Sequence, residues 1–354
     1  MNLYIITLHS IHNFGSIFQA LALQEYLKKQ NFDVKIIDYR PEYNLIGKNK
    51  LMTGLGKILN YKSYKRKFDK FNDFIEQNII LTPRIVSYLE LEKHFLDKKG
   101  VFITGGDQLW NPYHYCGNDK AFRLTFTDCN KVAFGTSLGK SEFTVEEVSN
   151  LLPDLKEYKN IGVRELSSVD LLKKNGLNNI EHVCDPVLLL DKEYYRNLIG
   201  PRIIKEKYVL VYLADKSELL DHCLDYVKTK YKLKVIHACG FRKKFNYDYI
   251  IKDEGPTDIL NLLINAEYVI SASFHATLFS LMFNKKFISL LPNKNTNARI
   301  IELLRFVGLE NRIIKEEKDI DIISQDISFK DSNIILDNLV RSSKEFLMNS
   351  IKRS

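Results

Sequence analysis

The stretch 105–111 groups several side chains that could bind a ligand. It contains the carboxylate of Asp107, the amides of Gln108 and Asn111, and Trp110, the only tryptophan of the chain. Carboxylates and amides hydrogen-bond to hydroxyl groups, and an indole ring adds an apolar surface. This combination favours a site for a carbohydrate or another small ligand. The alternative is a structural turn with Trp110 in the core.

A second stretch, 271–277, centres on His275. The imidazole titrates near neutral pH and is therefore suited to proton transfer. The hydroxyl groups of Ser273 and Thr277 flank it in the sequence. His275 is thus a candidate catalytic acid, although a lone histidine can also have a purely structural role.

A third stretch places Arg164 where an apolar run passes into a helical pattern. The planar guanidinium can bind a phosphate or a carboxylate through two parallel hydrogen bonds. Substrate binding and an ion pair with Glu165 or Asp185 are both consistent with this position.

A fourth stretch contains Asn13, Gly15 and Ser16 at the start of a predicted helix. The free N–H groups and the positive dipole end of a helix N-terminus can bind an anion or a sugar hydroxyl. A simple helix cap formed by Ser16 is the alternative.

Short apolar runs precede these stretches and predict the strands that position them. In the first half of the chain such runs alternate with helical patterns, which is typical of a doubly wound parallel sheet. The same alternation begins again at Tyr208. We therefore expect an α/β protein with two Rossmann-like domains, 1–195 and 205–330, and a cleft between them. A helical, basic insertion is expected at about 41–82, and a terminal helix within 331–354 is expected to pack back on the first domain.

Composition and charge restrict the class of protein. The chain has 354 residues, 45% of them hydrophobic and 27% charged, and a formal net charge of +8. Five scattered cysteines argue against a disulfide framework or a zinc site, and no nucleic-acid-binding motif accompanies the positive charge. The chain starts directly with an apolar strand pattern, and it has no run of about 20 apolar residues. We expect a cytoplasmic protein that requires neither a metal nor a cofactor and does not bind nucleic acid.

Much of the positive charge lies between Lys48 and Lys70. Clustered lysines could contact an anionic membrane surface, and a solvated helix face is the alternative. Peripheral contact with the inner face of the membrane would bring the protein to lipid-linked substrates.

Five motifs in the same order along the chain resemble those of the polysaccharide pyruvyltransferase family. The resemblance as a whole runs from Leu3 to about Arg312. The motifs are Asn13-Phe14-Gly15-Ser16 with Gln19-Ala20, Asp38-Tyr39-Arg40-Pro41, Gly105-Gly106-Asp107-Gln108-Leu109-Trp110-Asn111, Val163-Arg164-Glu165 and Ser273-Phe274-His275-Ala276-Thr277.

The resemblance implies a glycosyltransferase-B-like fold and transfer of a carboxyvinyl unit from phosphoenolpyruvate to a sugar of a cell-surface polysaccharide or its precursor, giving a pyruvate ketal. It also implies that Arg164 and His275 contact the donor. The sequence departs from better-studied branches at Ser273, where they have an arginine. Arg299 or Lys140 could supply the missing positive charge.

In this hypothesis His275 is the acid, Arg164 and the turn at Asn13 hold the anion, and Asp107 orients or deprotonates the sugar hydroxyl. A glycosyltransferase that uses a nucleotide-sugar is the first alternative, because a shared fold does not determine function. A non-catalytic sugar-binding relative is the second alternative. The acceptor sugar and the oligomeric state do not follow from the sequence.

Overall fold

The computed structural model describes residues 1–43, 61–140, 142–212, 217–238, 247–291 and 298–352. The chain forms two compact units. The first contains the described residues of 1–48, 74–190 and 337–354, and the second contains those of 49–73 and 191–336. Each unit has its own parallel sheet, so the predicted α/β class with two Rossmann-like domains is confirmed.

The first unit is built on six parallel strands in the order β2-β1-β3-β4-β5-β6. The central strands are buried over almost their whole length, which fits a sheet that is covered on both faces. The connections leave β1 and β3 in opposite directions, so the strand order reverses between these two strands. Parallel sheets of this kind bind their ligands at such a reversal point. The strands are β1 (Asn2–Ile6), β2 (Asp33–Ile36), β3 (Val101–Gly105), β4 (Asn130–Thr136), β5 (Asn160–Val163) and β6 (Ile180–His182).

Helix α1 (Phe14–Lys29) is the central helix of this unit. The sequence pattern predicts one apolar face, but buried residues occur all around the helix from Phe14 to Leu27. A helix that is apolar on all sides belongs in the core. The buried amides of Gln19 and Gln24 both donate hydrogen bonds: Gln19 donates to the Thr7 hydroxyl and Gln24 to the Ile80 carbonyl, each at 2.8 Å.

Helix α2 (Tyr61–Asn78) belongs partly to each unit. Its residues up to Asp73 group with the second unit, which differs from the expected insertion in the first domain. Three ion pairs explain this grouping, because the basic side chains of α2 meet acidic residues of the second unit. The pairs are Arg66–Asp253 at 2.5 Å, Lys67–Glu254 at 2.9 Å and Lys70–Asp258 at 2.7 Å. Lys48, Lys50 and Lys57 of the basic cluster lie outside the described residues.

Three further helices of the first unit are α3 (Tyr88–Phe95), α4 (Val145–Leu155) and α5 (Leu166–Lys174). The second unit is also built on six parallel strands, in the order β12-β11-β10-β7-β8-β9. Counted from its own first strand, this is the Rossmann order 3-2-1-4-5-6, with the reversal between β7 and β10. The strands are β7 (Tyr208–Tyr212), β8 (Lys234–Ala238), β9 (Tyr249–Ile251), β10 (Tyr268–Ser271), β11 (Lys286–Leu290) and β12 (Ile313–Ile314).

The helices of this unit are short and connect its strands. They are α6 (Lys192–Leu198), α7 (Glu218–Tyr231), α8 (Pro256–Asn265), α9 (Phe274–Met282) and α10 (Ala298–Phe306).

The chain ends in the long helix α11 (Lys330–Lys352), which groups with the first unit from Asp337 on. The Ser343 hydroxyl accepts a hydrogen bond from the Cys184 N–H at 2.8 Å. A Cβ atom at Gly162 would lie 2.8 Å from the Phe346 ring, so the glycine of β5 allows this ring to approach the sheet. In the described part of the chain, no helix is both long and apolar enough to span a bilayer.

Candidate functional site

The reversal point of the first sheet is occupied by the start of α1 and the loop after β3. Asn13 caps α1, because its Oδ1 accepts hydrogen bonds from the N–H groups of Gly15 at 3.0 Å and Ser16 at 3.4 Å. The cap is therefore Asn13, and the alternative of a cap formed by Ser16 is wrong. The hydroxyl of Ser16 instead donates a short hydrogen bond to Asp107 Oδ2.

Asp107 is held rigidly in this position. Its carboxylate also accepts a hydrogen bond from the Gln108 N–H at 2.8 Å, and its carbonyl accepts one from the Ser137 N–H at 2.8 Å. Its φ of 56° lies in the left-handed region, which is strained for a residue with a side chain. Gly106 precedes it at φ 66°, and a Cβ there would lie 1.7 Å from Gln19 Oε1. Gly106 thus allows the loop to approach α1 closely, where the Asp107 carboxylate meets the Ser16 hydroxyl.

The amides of Gln108 and Asn111 are joined, since Asn111 Nδ2 donates to Gln108 Oε1 at 2.8 Å. Trp110, in contrast, is buried. Its ring is 1% exposed, and its Nε1 donates to the Phe122 carbonyl at 3.1 Å. Trp110 is therefore part of the core, and its ring offers no surface to a sugar in this structure.

Arg164 follows β5 and is paired with both acidic residues considered from the sequence. Its Nε donates to Glu165 Oε1 at 3.2 Å, and its Nη1 donates to Asp185 Oδ2 at 2.5 Å. The side chain of Arg164 is 4% exposed. This geometry favours the ion-pair interpretation of Arg164.

The charges around Arg164 explain its protonation. Burial by itself would lower the pKa of Arg164, but the carboxylates of Glu165, Asp185 and Asp107 together raise it. Asp107 is thus within electrostatic reach of Arg164. Two carboxylates pair directly with one guanidinium, so this cluster carries an excess of negative charge.

His9 and Asp38 form a further buried pair that the sequence analysis did not identify as part of a site. His9 Nε2 lies 2.8 Å from Asp38 Oδ1, and His9 Nδ1 lies 3.2 Å from the Thr7 carbonyl. Arg40 Nε donates a short hydrogen bond to the same Asp38 oxygen. Both residues follow the ends of the neighbouring parallel strands β1 and β2, and this placement is the signal that could have revealed the pair.

Asp38 should make the protein sensitive to acid. Burial raises the pKa of Asp38, but the hydrogen bonds with His9 and Arg40 lower it by a larger amount. The pKa of Asp38 therefore lies below its ordinary value of 3.8. A carboxyl group whose pKa is lowered in the folded state stabilises the protein above about pH 4. This stabilisation is lost as the pH falls below that value. We expect Asp38→Asn to cost about 2 kcal/mol at pH 7 and to flatten the fall in stability below pH 4. Urea unfolding between pH 2.5 and 7 measures both effects, and an unchanged acid slope would contradict them.

In the second unit, β10 leads into α9 at the reversal point of the sheet. The Ser271 hydroxyl donates to the Tyr212 carbonyl of β7 at 2.9 Å and accepts from the Ser273 N–H at 3.0 Å. Ser273 caps α9, since its Oγ accepts from the Ala276 N–H at 3.4 Å. Ser273 therefore shapes the helix start.

His275 lies in the first turn of α9 and is 6% exposed. Its ring packs edge-on against Phe274, with the ring centroids 5.4 Å apart. The guanidinium of Arg299, at the start of α10, lies 5.6 Å from the centroid of the same phenylalanine ring. His275 and Arg299 therefore both contact the ring of Phe274.

The comparisons with known proteins connect these features to a family. The pattern of the family described as polysaccharide pyruvyl transferase matches residues 13–294. The chain belongs to this family. No curated protein matches the sequence significantly.

Solved structures similar to this pyruvyl transferase family member include two sugar-nucleotide epimerases. The UDP-GlcNAc 2-epimerase of Neisseria meningitidis, bound to UDP-GlcNAc, has a TM-score of 0.59 at 10% identity, covering 99% of this chain and 100% of that one. The UDP-GlcNAc 2-epimerase of Methanocaldococcus jannaschii has a TM-score of 0.56 at 16% identity, with 92% of each chain covered. At these identities the likeness concerns the fold, and it supports the glycosyltransferase-B-like architecture.

One cavity of this family member lies away from the motifs described above. A surface cavity of about 670 Å³ lies at the opposite edge of the first sheet, near Gly100 and Asn130, which precede or begin β3 and β4. Among the described residues, no three His, Cys, Asp or Glu side chains are grouped so as to hold a metal ion.

Proposed function

We propose that this protein transfers the pyruvyl unit of phosphoenolpyruvate to two hydroxyl groups of a sugar. In this reaction the methylene carbon of the donor gains a proton, both hydroxyl oxygens bond to the adjacent carbon, and phosphate leaves. The product is a cyclic pyruvate ketal. The observation that carries the proposal is the family match over residues 13–294. Three of the five sequence motifs, at 13–20, 105–111 and 273–277, lie at the reversal points of the two sheets.

The acceptor is assigned to the first unit because of its charge. Asp107, Glu165 and Asp185 outnumber the single guanidinium of Arg164, and an excess of negative charge disfavours a multiply charged phosphate ester. A sugar hydroxyl, by contrast, can donate to a carboxylate. Asp107 accepts hydrogen bonds from Ser16 and Gln108, and a carboxylate has further lone pairs for an acceptor hydroxyl. In this proposal Arg164 positions the acidic groups.

The donor is assigned to the second unit. His275 lies at a helix start that follows a strand end, where an imidazolium can deliver the proton to the methylene carbon. Arg299, which contacts the ring of the neighbouring Phe274, supplies a positive charge to the donor. In this proposal Arg299 takes over from the arginine that better-studied branches of the family have at the position of Ser273.

Membrane association is not part of the proposal. Three basic residues of the Lys48–Lys70 cluster, namely Arg66, Lys67 and Lys70, are paired with carboxylates. Such pairing reduces the charge available to anionic lipids.

The proposed donor can be tested by ligand-dependent stability. Phosphoenolpyruvate at about one hundred times its dissociation constant should stabilise the folded protein by about 2.7 kcal/mol. UDP-GlcNAc at the same concentrations should leave the melting temperature unchanged. A thermal-shift titration with both compounds, followed by measurement of phosphate release with sugar acceptors, checks this. Stabilisation by UDP-GlcNAc alone would favour a nucleotide-sugar-dependent enzyme instead.

A further inference from the structure

The segment just after the buried Trp110 exposes two aromatic rings. Tyr113 is 75% exposed and Tyr115 is 41% exposed. Contiguous exposed apolar surface marks binding sites, and these two exposed rings lie two residues apart in the chain. Their position in the same loop as Gln108 and Asn111 connects them to the first-unit polar cluster.

The backbone holds these tyrosines in place. The Tyr113 N–H donates to Asn111 Oδ1 at 3.0 Å, and the His114 N–H donates to the Asn111 carbonyl at 2.9 Å. A Cβ at Gly117 would lie 1.7 Å from the Asn111 carbonyl oxygen, so the segment can return this closely only through a glycine. Because the loop is already ordered, a ligand would not have to order the rings on binding.

Each tyrosine ring also contacts a charged or aromatic neighbour. The Tyr115 ring contacts the rings of His114 and Tyr43, with centroid distances of 4.3 and 5.1 Å. Lys140 Nζ lies 4.4 Å from the centroid of the Tyr113 ring and pairs with Glu147 at 2.7 Å. Lys140 is thus engaged in this cluster, and most of the Tyr113 side chain still faces solvent.

The aromatic pair lies close to hydrogen-bonding groups. Burial, followed by the Cys116 thiol and the Asp107 carboxylate, raises the pKa of Tyr115, which places Asp107 within electrostatic reach of its hydroxyl. Asn111, whose side chain accepts from Tyr113, in turn donates to Gln108. The loop that carries the two exposed rings therefore also carries a carboxylate and two amides.

We propose that Tyr113 and Tyr115 form an acceptor subsite that stacks on the C–H face of a pyranose ring, while the neighbouring polar groups bind its hydroxyls. A pyranose presents a patch of polarised C–H groups and an edge of hydroxyls to a protein. The electron-rich face of a tyrosine attracts the former. A neutral saccharide also suits the negative charge around Asp107. This subsite rests on the proposed function and specifies where its acceptor binds.

The test uses the full chain and the variants Tyr113→Ala and Tyr115→Ala. With a glycoside that serves as acceptor, each should raise the half-saturating acceptor concentration at least tenfold and leave that of phosphoenolpyruvate within twofold. Tyr113→Phe and Tyr115→Phe keep the ring and should stay close to the parent protein. Tyr61→Ala is the control, because it removes a tyrosine of α2 whose exposure, 65%, lies between those of Tyr113 and Tyr115.

A second measurement separates this subsite from the transfer reaction. Saturation-transfer NMR without phosphoenolpyruvate, using the methyl glycosides of glucose, galactose, mannose and N-acetylglucosamine, should detect binding of at least one glycoside and its loss in both alanine variants. Binding of this kind without any pyruvyl transfer would support the subsite and contradict the proposed function. Transfer with an unchanged acceptor dependence in both alanine variants would overturn the subsite alone, as would a parent protein that binds none of the four glycosides.

Discussion

Replacement of His275 by alanine should lower the rate of pyruvyl transfer by about 10²–10⁴-fold, the usual contribution of a general acid. The fold should tolerate the change, because Ser273 and not His275 caps α9. The hydroxyl of Thr277 also bonds to the Ser273 carbonyl at 3.1 Å and lies 3.0 Å from the Ser289 hydroxyl. The measurement is the release of phosphate from phosphoenolpyruvate at saturating acceptor, together with the melting temperature.

His222→Ala is the matched control for this variant. His222 also lies on a helix of the second unit, but its side chain is 45% exposed and contacts Glu317 at 3.1 Å. It should therefore keep the parental rate. If His275→Ala retained activity within a few-fold, or lost it only in proportion to a loss of folded protein, the proton-transfer role would be wrong.

Arg164→Lys should reduce the stability of the first unit and leave donor binding almost unaffected. The guanidinium bonds to Glu165 through Nε and to Asp185 through Nη1, and a single ammonium cannot reproduce both contacts. Loss of one buried charged hydrogen bond costs about 1.5–3 kcal/mol. We expect a fall of this size in the free energy of unfolding, a higher half-saturating acceptor concentration, and a threefold change at most for phosphoenolpyruvate. Chemical denaturation and steady-state kinetics measure these quantities.

The control is Arg123→Lys, because Arg123 is a similarly buried arginine of the same unit. Its side chain is 8% exposed, it pairs with Asp154 at 3.0 Å, and it donates to the carbonyls of Asn150 and Asn118. The two variants should lose comparable stability, and only Arg164→Lys should alter the acceptor dependence. A lysine variant of Arg164 with a normal melting temperature and a strongly weakened response to phosphoenolpyruvate would restore the donor role implied by the family resemblance.

The sequence alone was sufficient for the class of fold and for placing the candidate loops after strands. Parallel strands covered on both faces must be apolar over their whole length, so each strand appears as a short apolar run. Residues directly after such runs lie at the carboxyl edge of the sheet, which is why Asp107, Arg164 and His275 could be selected as candidates. The motifs also identified the family, since their order along the chain is itself a property of the sequence.

Tertiary structure decided which side of each motif faces solvent. Trp110 and Tyr113 are three residues apart in one polar loop, and both are aromatic. The turn at Asn111 and the Phe122 carbonyl direct Trp110 into the core, whereas Tyr113 remains exposed. Local sequence contains no information about the Phe122 carbonyl, because the contact depends on how the chain returns after the loop.

The partners of charged groups were also decided by tertiary structure. Whether Arg164 faces a ligand or a carboxylate depends on Asp185, which reaches it from the end of a neighbouring strand. The basic residues of α2 meet Asp253, Glu254 and Asp258, nearly two hundred residues later in the chain. The sequence shows what a charged side chain can bind. Only the folded chain determines which opposite charge lies within a few ångströms, where the Coulomb attraction is strong.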